Sequence, residues 1–167
     1  MSQKLNSMRY LEQHKIPYEV FEYPDTIHDA EEVAEVIGIP YHIVYKTLVV
    51  QAVDNPAQTK PYLVMVPSER RLDMKKMALA AGQKKVKMAA HKDAEALTGL
   101  KVGGISALAL TAKNWTVFLD QTATELQHIV ISAGQRGFQL RVPVTPLVTL
   151  LRVRIADVST EDETGEG

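Results

Sequence analysis

Two runs rich in β-branched and aromatic residues, 43–53 (IVYKTLVVQAV) and 61–67 (PYLVMVP), are separated only by the polar stretch DNPAQTK. A parallel pair needs a crossover of roughly a dozen residues or more. These two strands are therefore expected to pair antiparallel, as a hairpin. The same reasoning applies elsewhere in the chain. YEVFEY (18–23) alternates apolar and acidic residues as a half-buried strand does, and Pro24 closes it. TVFLD (116–120) and the short KKVKMA (84–89) read as strands, and HIVISAG (128–134) and GFQLRVP (137–143) as a second hairpin.

Helix signals sit between these strands. Leu5, Met8, Leu11 and Glu12 suit a short amphipathic helix ended by Ile16-Pro17. DAEEVAEVIG opens on a capping box, Asp29 with Glu32, and closes on Gly38. Asp73 is the expected N-cap of MKKMALAA, which Gly82 stops, and HKDAEALTG forms a further helix. QTATEL reads as a helical turn, and Thr145-Pro146 as an N-cap followed by proline at the first helical position. Several strand connections are too short for parallel crossovers. The expected class is α+β: a mixed, mostly antiparallel sheet or partly closed barrel with surrounding helices. Residues 1–158 are expected to form a single domain, and the acidic tail STEDETGEG (159–167) to be disordered.

Composition narrows the chemistry. The chain has no cysteine, which removes disulfides, thiolate metal sites and a cysteine nucleophile. Its five histidines (14, 28, 42, 91 and 128) show no metal-ligand spacing, so no metal or other cofactor is expected. No run approaches the ~20 apolar residues of a membrane span, and the N-terminus has no apolar signal core. A soluble, cytoplasmic protein without a membrane partner is the expectation.

Charge is unevenly placed. The net charge is −1, yet residues 70–92 carry Arg70, Arg71, Lys75, Lys76, Lys84, Lys85, Lys87 and Lys92 against Asp73 alone. That segment is +7 and the remainder −8. A solvated helix face explains such a run blandly. A polyanion partner, nucleic acid first, explains the asymmetry as well. Few aromatics interleave the patch, so contact with a phosphate backbone suits it better than base stacking.

Lys46 interrupts the first strand. It shares a face with Val44 and Leu48, while Tyr45, Thr47 and Val49 share the other. Taken alone, it is an edge residue that snorkels into water. The sharper reading is a cation at the rim of an apolar pocket, aimed at an anionic or carbonyl oxygen. VGGISAL (102–108) is the second candidate: paired glycines allow positive φ, and adjacent N–H groups suit an oxyanion or phosphate oxygen. A tight turn is its plain alternative. HIVISAGQRGF is the third, a strand running into a glycine-rich turn. No Ser-His-Asp order can be argued, and no side-chain nucleophile is evident.

In order, Tyr23 ahead of EEVAEVIG, then YKTLVV, TGLKVGGIS and VISAGQRG resemble the YbaK/EbsC family of aminoacyl-tRNA deacylases, free-standing relatives of the prolyl-tRNA synthetase editing domain. The resemblance runs from about Leu5 to Leu151; the combination of motifs is specific, although each alone is not. It implies that family's fold and a trans-editing hydrolase that deacylates mischarged tRNA. The YbaK-like branch points to Cys-tRNA(Pro), other branches to Ala-tRNA(Pro). It also implies that Lys46 is essential for catalysis or substrate placement, with Thr47, the pocket residue Tyr23, the loop residues Gly103, Gly104 and Ser106, and Ser132 and Gly134 around the substrate. The attacking group would be water or, in the cysteinyl case, the substrate's own thiol. Arg70, Arg71, Lys75, Lys76, Lys84, Lys85 and Lys87 would bind the tRNA backbone, and prolyl-tRNA synthetase is a candidate partner. Where the family writes proline after GGIS, this chain has Ala107. That departure bears on amino-acid specificity, and it keeps open an inactive tRNA- or synthetase-binding module, as well as a small-molecule or nucleotide-binding protein using the same pocket. Lys46 and Thr47 lie on opposite pleats, so both reach one substrate only at a bulge or strand end.

Overall fold

The structure is a computed structural model that describes residues 4–54 and 57–161. In chain order the elements are α1 (Asn6–Gln13), β1 (Glu19–Glu22), α2 (Ala30–Ile37), β2 (Tyr45–Ala52), β3 (Tyr62–Pro67), β4 (Arg70–Leu72), α3 (Met74–Ala81) and β5 (Val86–Met88). They continue with α4 (His91–Thr98), β6 (Thr116–Asp120), β7 (His128–Ser132), β8 (Phe138–Pro143), α5 (Val144–Leu151), β9 (Arg154–Ala156) and β10 (Ser159–Glu161). Short 3-10 segments lie around β6, at Ala107–Ala109, Thr111–Lys113 and Gln121–Glu125.

The expected hairpin is present, with Tyr45 opposite Pro67 and Val50 opposite Tyr62. It is the centre of a five-stranded sheet ordered β5-β2-β3-β6-β9. β5 adds antiparallel to β2, whereas β6 adds parallel to β3 and β9 parallel to β6. The parallel step is possible because the chain between β3 and β6 is long enough for a crossover. A second, antiparallel sheet is ordered β1-β8-β7, and β4 and β10 form an antiparallel pair. One parallel bridge, Val44 to Val130, joins the two larger sheets, which do not close into a barrel. The fold is mixed α+β and mostly antiparallel, as expected.

β3 explains why the sheet holds together. All six of its residues are buried, and their alternation serves two cores. Leu63 and Met65 face one core with Leu11, Leu119, Leu140 and Leu147. Tyr62, Val64 and Val66 face the other with Met77, Val86 and Phe118. Each such side chain stabilises the fold by roughly 1.5–3 kcal/mol when fully buried. Helix caps follow the residues that signal them: Asp29 accepts from the Glu32 N–H at 3.2 Å, and Asp73 from those of Lys75 and Lys76 at 3.0 Å.

Two expectations are corrected. α5 starts at Val144 with Pro143 in the cap position, so Thr145 lies inside the first turn instead of capping it. The Val144 N–H donates to Gln127 O at 2.9 Å, which carries β8 directly into the helix. The tail also begins later than expected, because Ser159–Glu161 is strand β10 on β4. Val158 and Ser159 are fully buried; Asp120 Oδ1 accepts from the Val158 N–H at 3.1 Å, and Arg70 Nε donates to Ser159 Oγ at 2.7 Å. These long-range partners outweigh the local polar composition. The remainder of the acidic tail, 162–167, lies outside the described residues. Among the described residues, no helix is long and apolar enough to cross a membrane.

Candidate active site

β2 is paired unequally on its two sides. β3 accompanies it from Tyr45 to Val50, but β5 joins only at Val50–Ala52. Between Tyr45 and Leu48 its other edge is open to a cavity of about 260 Å³. Five consecutive residues, Val44 to Leu48, border that cavity. This answers the pleat problem. The register passes from Lys46–Val66 to Thr47–Met65 without a bulge, yet a cavity at a strand edge meets side chains of both faces. Lys46 is half-buried, and its Nζ makes a long 3.5 Å bond to Ser68 O. Ser68 is itself tied down: its N–H donates to Val44 O and its Oγ to Tyr41 O, both at 2.7 Å.

The loop Val102–Ile105 forms another wall. Gly103 has φ +89°, and a Cβ there would overlap His28 Cβ and lie 2.9 Å from His28 O. Only glycine allows this approach. The loop is gripped from two sides: Arg136 Nε donates to Val102 O at 2.6 Å, and Glu95 Oε2 accepts from the Val102 N–H at 2.9 Å. Among the described residues, none accepts from the Gly103 N–H. A donor held in a fixed loop beside a cavity, with a lysine on the facing strand, suits a developing oxyanion.

The expected site residues separate into two groups. Lys46, Thr47, Gly103 and Ser132 border the cavity. Tyr23, Gly104, Ser106 and Gly134 do not. Gly104 packs under the later turn, where a Cβ would come within 2.9 Å of Arg136 N. Ser106 is fully buried and caps a 3-10 turn by accepting from the Leu108 N–H at 3.1 Å. Gly134 gives its N–H to Ser132 Oγ at 3.2 Å. Tyr23 stands one layer back, its hydroxyl accepting from Gln139 Nε2 at 3.1 Å. Ala107 is 2% exposed and does not border the cavity, so the departure from the family's proline sits in the core.

His28, Asp29, His91 and Gln139 also border the cavity, and sequence reasoning passed over them. In the sequence Asp29 signals only a helix cap. Gln139 sits between Phe138 and Leu140 on β8, a strand flanked by both β1 and β7, and no motif of the sequence singles it out. The histidines arrive from before α2 and from the first position of α4, with no local signal that they converge. Tyr45 borders the cavity, and its hydroxyl donates to Thr122 Oγ1 at 2.7 Å, which in turn donates to Asp120 Oδ2 at 2.7 Å. Burial pushes the Tyr45 phenol up to about 12, so it is neutral at ordinary pH. Among the described residues, no group of three or more His, Cys, Asp or Glu is placed to hold a metal ion.

Of the expected tRNA-backbone residues, Arg71, Lys75, Lys84, Lys85 and Lys87 are exposed. Arg70 and Lys76 are half-buried and committed to the strap around β10. Arg70 bonds Ser159 through Oγ and O, and Lys76 Nζ lies 3.1 Å from both Asp157 Oδ1 and Ser159 O. Lys84, Lys85 and Lys87 lie on or just before β5, which flanks the same strand that carries Lys46.

Residues 24–150 match the family model described as the aminoacyl-tRNA editing domain. Over 162 residues, 96% of each chain, the sequence is 38% identical to a protein of Enterococcus faecalis (strain ATCC 700802 / V583) named "Putative Cys-tRNA(Pro)/Cys-tRNA(Cys) deacylase EbsC". The fold is similar to that of the hypothetical protein APE2540, with a TM-score of 0.83 and 22% identity over 93% of this chain and 100% of that one. It is also similar to the structure described as "a putative trans-editing enzyme for prolyl tRNA synthetase", with a TM-score of 0.75 and 22% identity over 97% and 100% of the two chains.

Proposed function

The chain belongs to the aminoacyl-tRNA editing domain family, and from that premise we propose that it acts in trans as a hydrolase of mischarged tRNA, with Cys-tRNA(Pro) as its substrate. The observation that carries this reading is the convergence of Lys46, Gly103 and Ser132 on one cavity at the open edge of β2. The cavity, about 260 Å³, is slightly below the ~300–1,000 Å³ of ordinary ligand pockets. It suits the aminoacyl end of a tRNA better than a whole nucleotide.

The ester is activated and needs little help. Water attacks the carbonyl carbon, and the negative charge that develops on its oxygen is met by the Gly103 N–H and by Lys46. Collapse of the intermediate breaks the bond from the carbonyl carbon to the ribose oxygen, which takes up the proton the attacking water gives up, so that free amino acid and tRNA are released. With no cysteine in the chain, no thiol of the enzyme takes part. Selection is by size: a pocket that admits Cys and excludes Pro serves as the second sieve after charging. The exposed Arg71, Lys75, Lys84, Lys85 and Lys87 supply sequence-independent attraction for the tRNA backbone. Prolyl-tRNA synthetase, in the cytoplasm, is the proposed source of the substrate.

The test is a deacylation panel with Cys-tRNA(Pro), Ala-tRNA(Pro) and Pro-tRNA(Pro). Rapid loss of Cys with Pro spared is the expected result. Preference for Ala moves the amino-acid assignment, and no deacylation of any of the three leaves only a binding module.

A further inference from the structure

Gln139 is 5% exposed and lies on the central strand of its sheet, opposite Phe21 on one side and Ser132 on the other. Its Nε2 donates to the hydroxyl of Tyr23 at 3.1 Å. Tyr23 is 9% exposed, so the phenol is a fixed partner that holds one end of the amide. The other end is different. Gln139 Oε1 is a buried side-chain oxygen with no hydrogen-bond partner, and among the described residues no other buried side-chain nitrogen or oxygen is in that position. Folded proteins rarely leave such an atom unpaired. Gln139 borders the cavity that holds Lys46 and Ser132.

We infer that Gln139 reads the α-ammonium group of the aminoacyl ester, with Tyr23 as the positioning residue that orients its amide. This rests on the editing function proposed above. A carbonyl oxygen accepts and cannot donate, so the group it recognises must carry N–H, O–H or S–H. An aminoacyl ester offers three ammonium hydrogens next to the reacting carbonyl. A cysteinyl ester adds one thiol hydrogen, a weak donor. The charge-assisted bond from the ammonium is the stronger of the two and is common to every aminoacyl substrate. Gln139 therefore anchors the invariant part of the substrate and leaves side-chain selection to the rest of the wall. A bound ammonium also satisfies the one buried side-chain oxygen that is left unpaired among the described residues.

The experiment compares Cys-tRNA(Pro) and Ala-tRNA(Pro) with their N-acetylated forms, in which the ammonium is gone. Wild type is expected to prefer the free amines by about tenfold or more, the effect of a hydrogen bond to a charged group. Gln139→Met, of similar length but without the oxygen, should lose that preference by slowing the free-amine substrates, Cys and Ala alike, while the acetylated ones are unchanged. Gln139→Glu keeps an acceptor and should keep the preference, which covers the case that the Met variant does not fold. Tyr23→Phe should weaken the preference without abolishing it. A folded Gln139→Met with the wild-type preference overturns the inference, as does a loss confined to Cys substrates, which would assign the oxygen to the thiol. A second arm needs no catalysis: titration with alanine methyl ester should shift the Gln139 side-chain amide resonance, and N-acetylalanine methyl ester should not. Shifts of equal size refute the ammonium assignment even if no tRNA is deacylated, and that last outcome alone counts against the proposed function.

Discussion

A Cβ placed on Gly103 would overlap the Cβ of His28 and lie 2.9 Å from its carbonyl oxygen. The obstacle is largely backbone, so the loop cannot yield by rotating a side chain. φ at Gly103 is +89°, a region that side chains also disfavour.

Gly103→Ala should therefore lower stability by about 1–3 kcal/mol and displace the loop that borders the cavity. The expected outcome is a lower thermal midpoint together with deacylation reduced at least tenfold. Wild-type turnover in this variant would remove the loop from the reaction. Gly38→Ala is the control, since a Cβ there meets nothing within 4 Å although its φ is also positive. It should lose stability and keep turnover.

Tyr45 predicts a window of pH dependence. Its folded-state pKa is raised to about 12, chiefly by burial, against an unfolded value of about 10. The folded state thus holds the proton more tightly. The corresponding stability is fully present below about pH 10 and is lost as pH rises towards 12. Denaturant midpoints measured from pH 8 to 11.5 should fall more steeply in wild type than in Tyr45→Phe. Below pH 9 the Phe variant should be weaker by about 1 kcal/mol, because Thr122 Oγ1 loses the donor it accepts from. Parallel curves across the whole range would contradict the assignment.

The basic residues divide by their contacts. Neutralising Lys84, Lys85 and Lys87 together should weaken tRNA binding and flatten its dependence on salt, with the log-log slope falling by roughly one per phosphate contact removed. Thermal stability should barely move, since all three are exposed. Arg70→Ala should do the reverse. It removes the bonds to Ser159 Oγ and O, loosening β10 and lowering stability, with little change in the salt slope. Filter binding of tRNA from 50 to 300 mM salt checks both.

Local pattern was enough wherever neighbours in sequence are neighbours in space. The hairpin of β2 and β3, the second hairpin of β7 and β8, and the caps at Asp29 and Asp73 depend on short spacings and single residue types. β4, β9 and β10 are three-residue strands whose existence depends on distant partners, such as Asp120 for Val158 and Arg70 for Ser159. Nothing within three residues can signal that. The site shows the same division. Lys46, Gly103 and Ser132 were legible because each belongs to a motif. His28, His91 and Gln139 were not, because what brings them to the cavity is the packing of α2, α4 and β8 around the open edge of β2. Ser106, Gly104 and Gly134 belong to motifs too, yet they shape the loops instead of touching the cavity.

Lys46 is the residue on which the functional reading turns. It is half-buried, and its long bond to Ser68 O contributes little to folding. The decisive measurement is single-turnover deacylation of Cys-tRNA(Pro) by wild type and Lys46→Ala, with circular dichroism recorded on the same samples. The expected result is a loss of at least a hundredfold in rate with a native spectrum. Wild-type deacylation by a folded Lys46→Ala protein would contradict the placement of the chemistry at the open edge of β2.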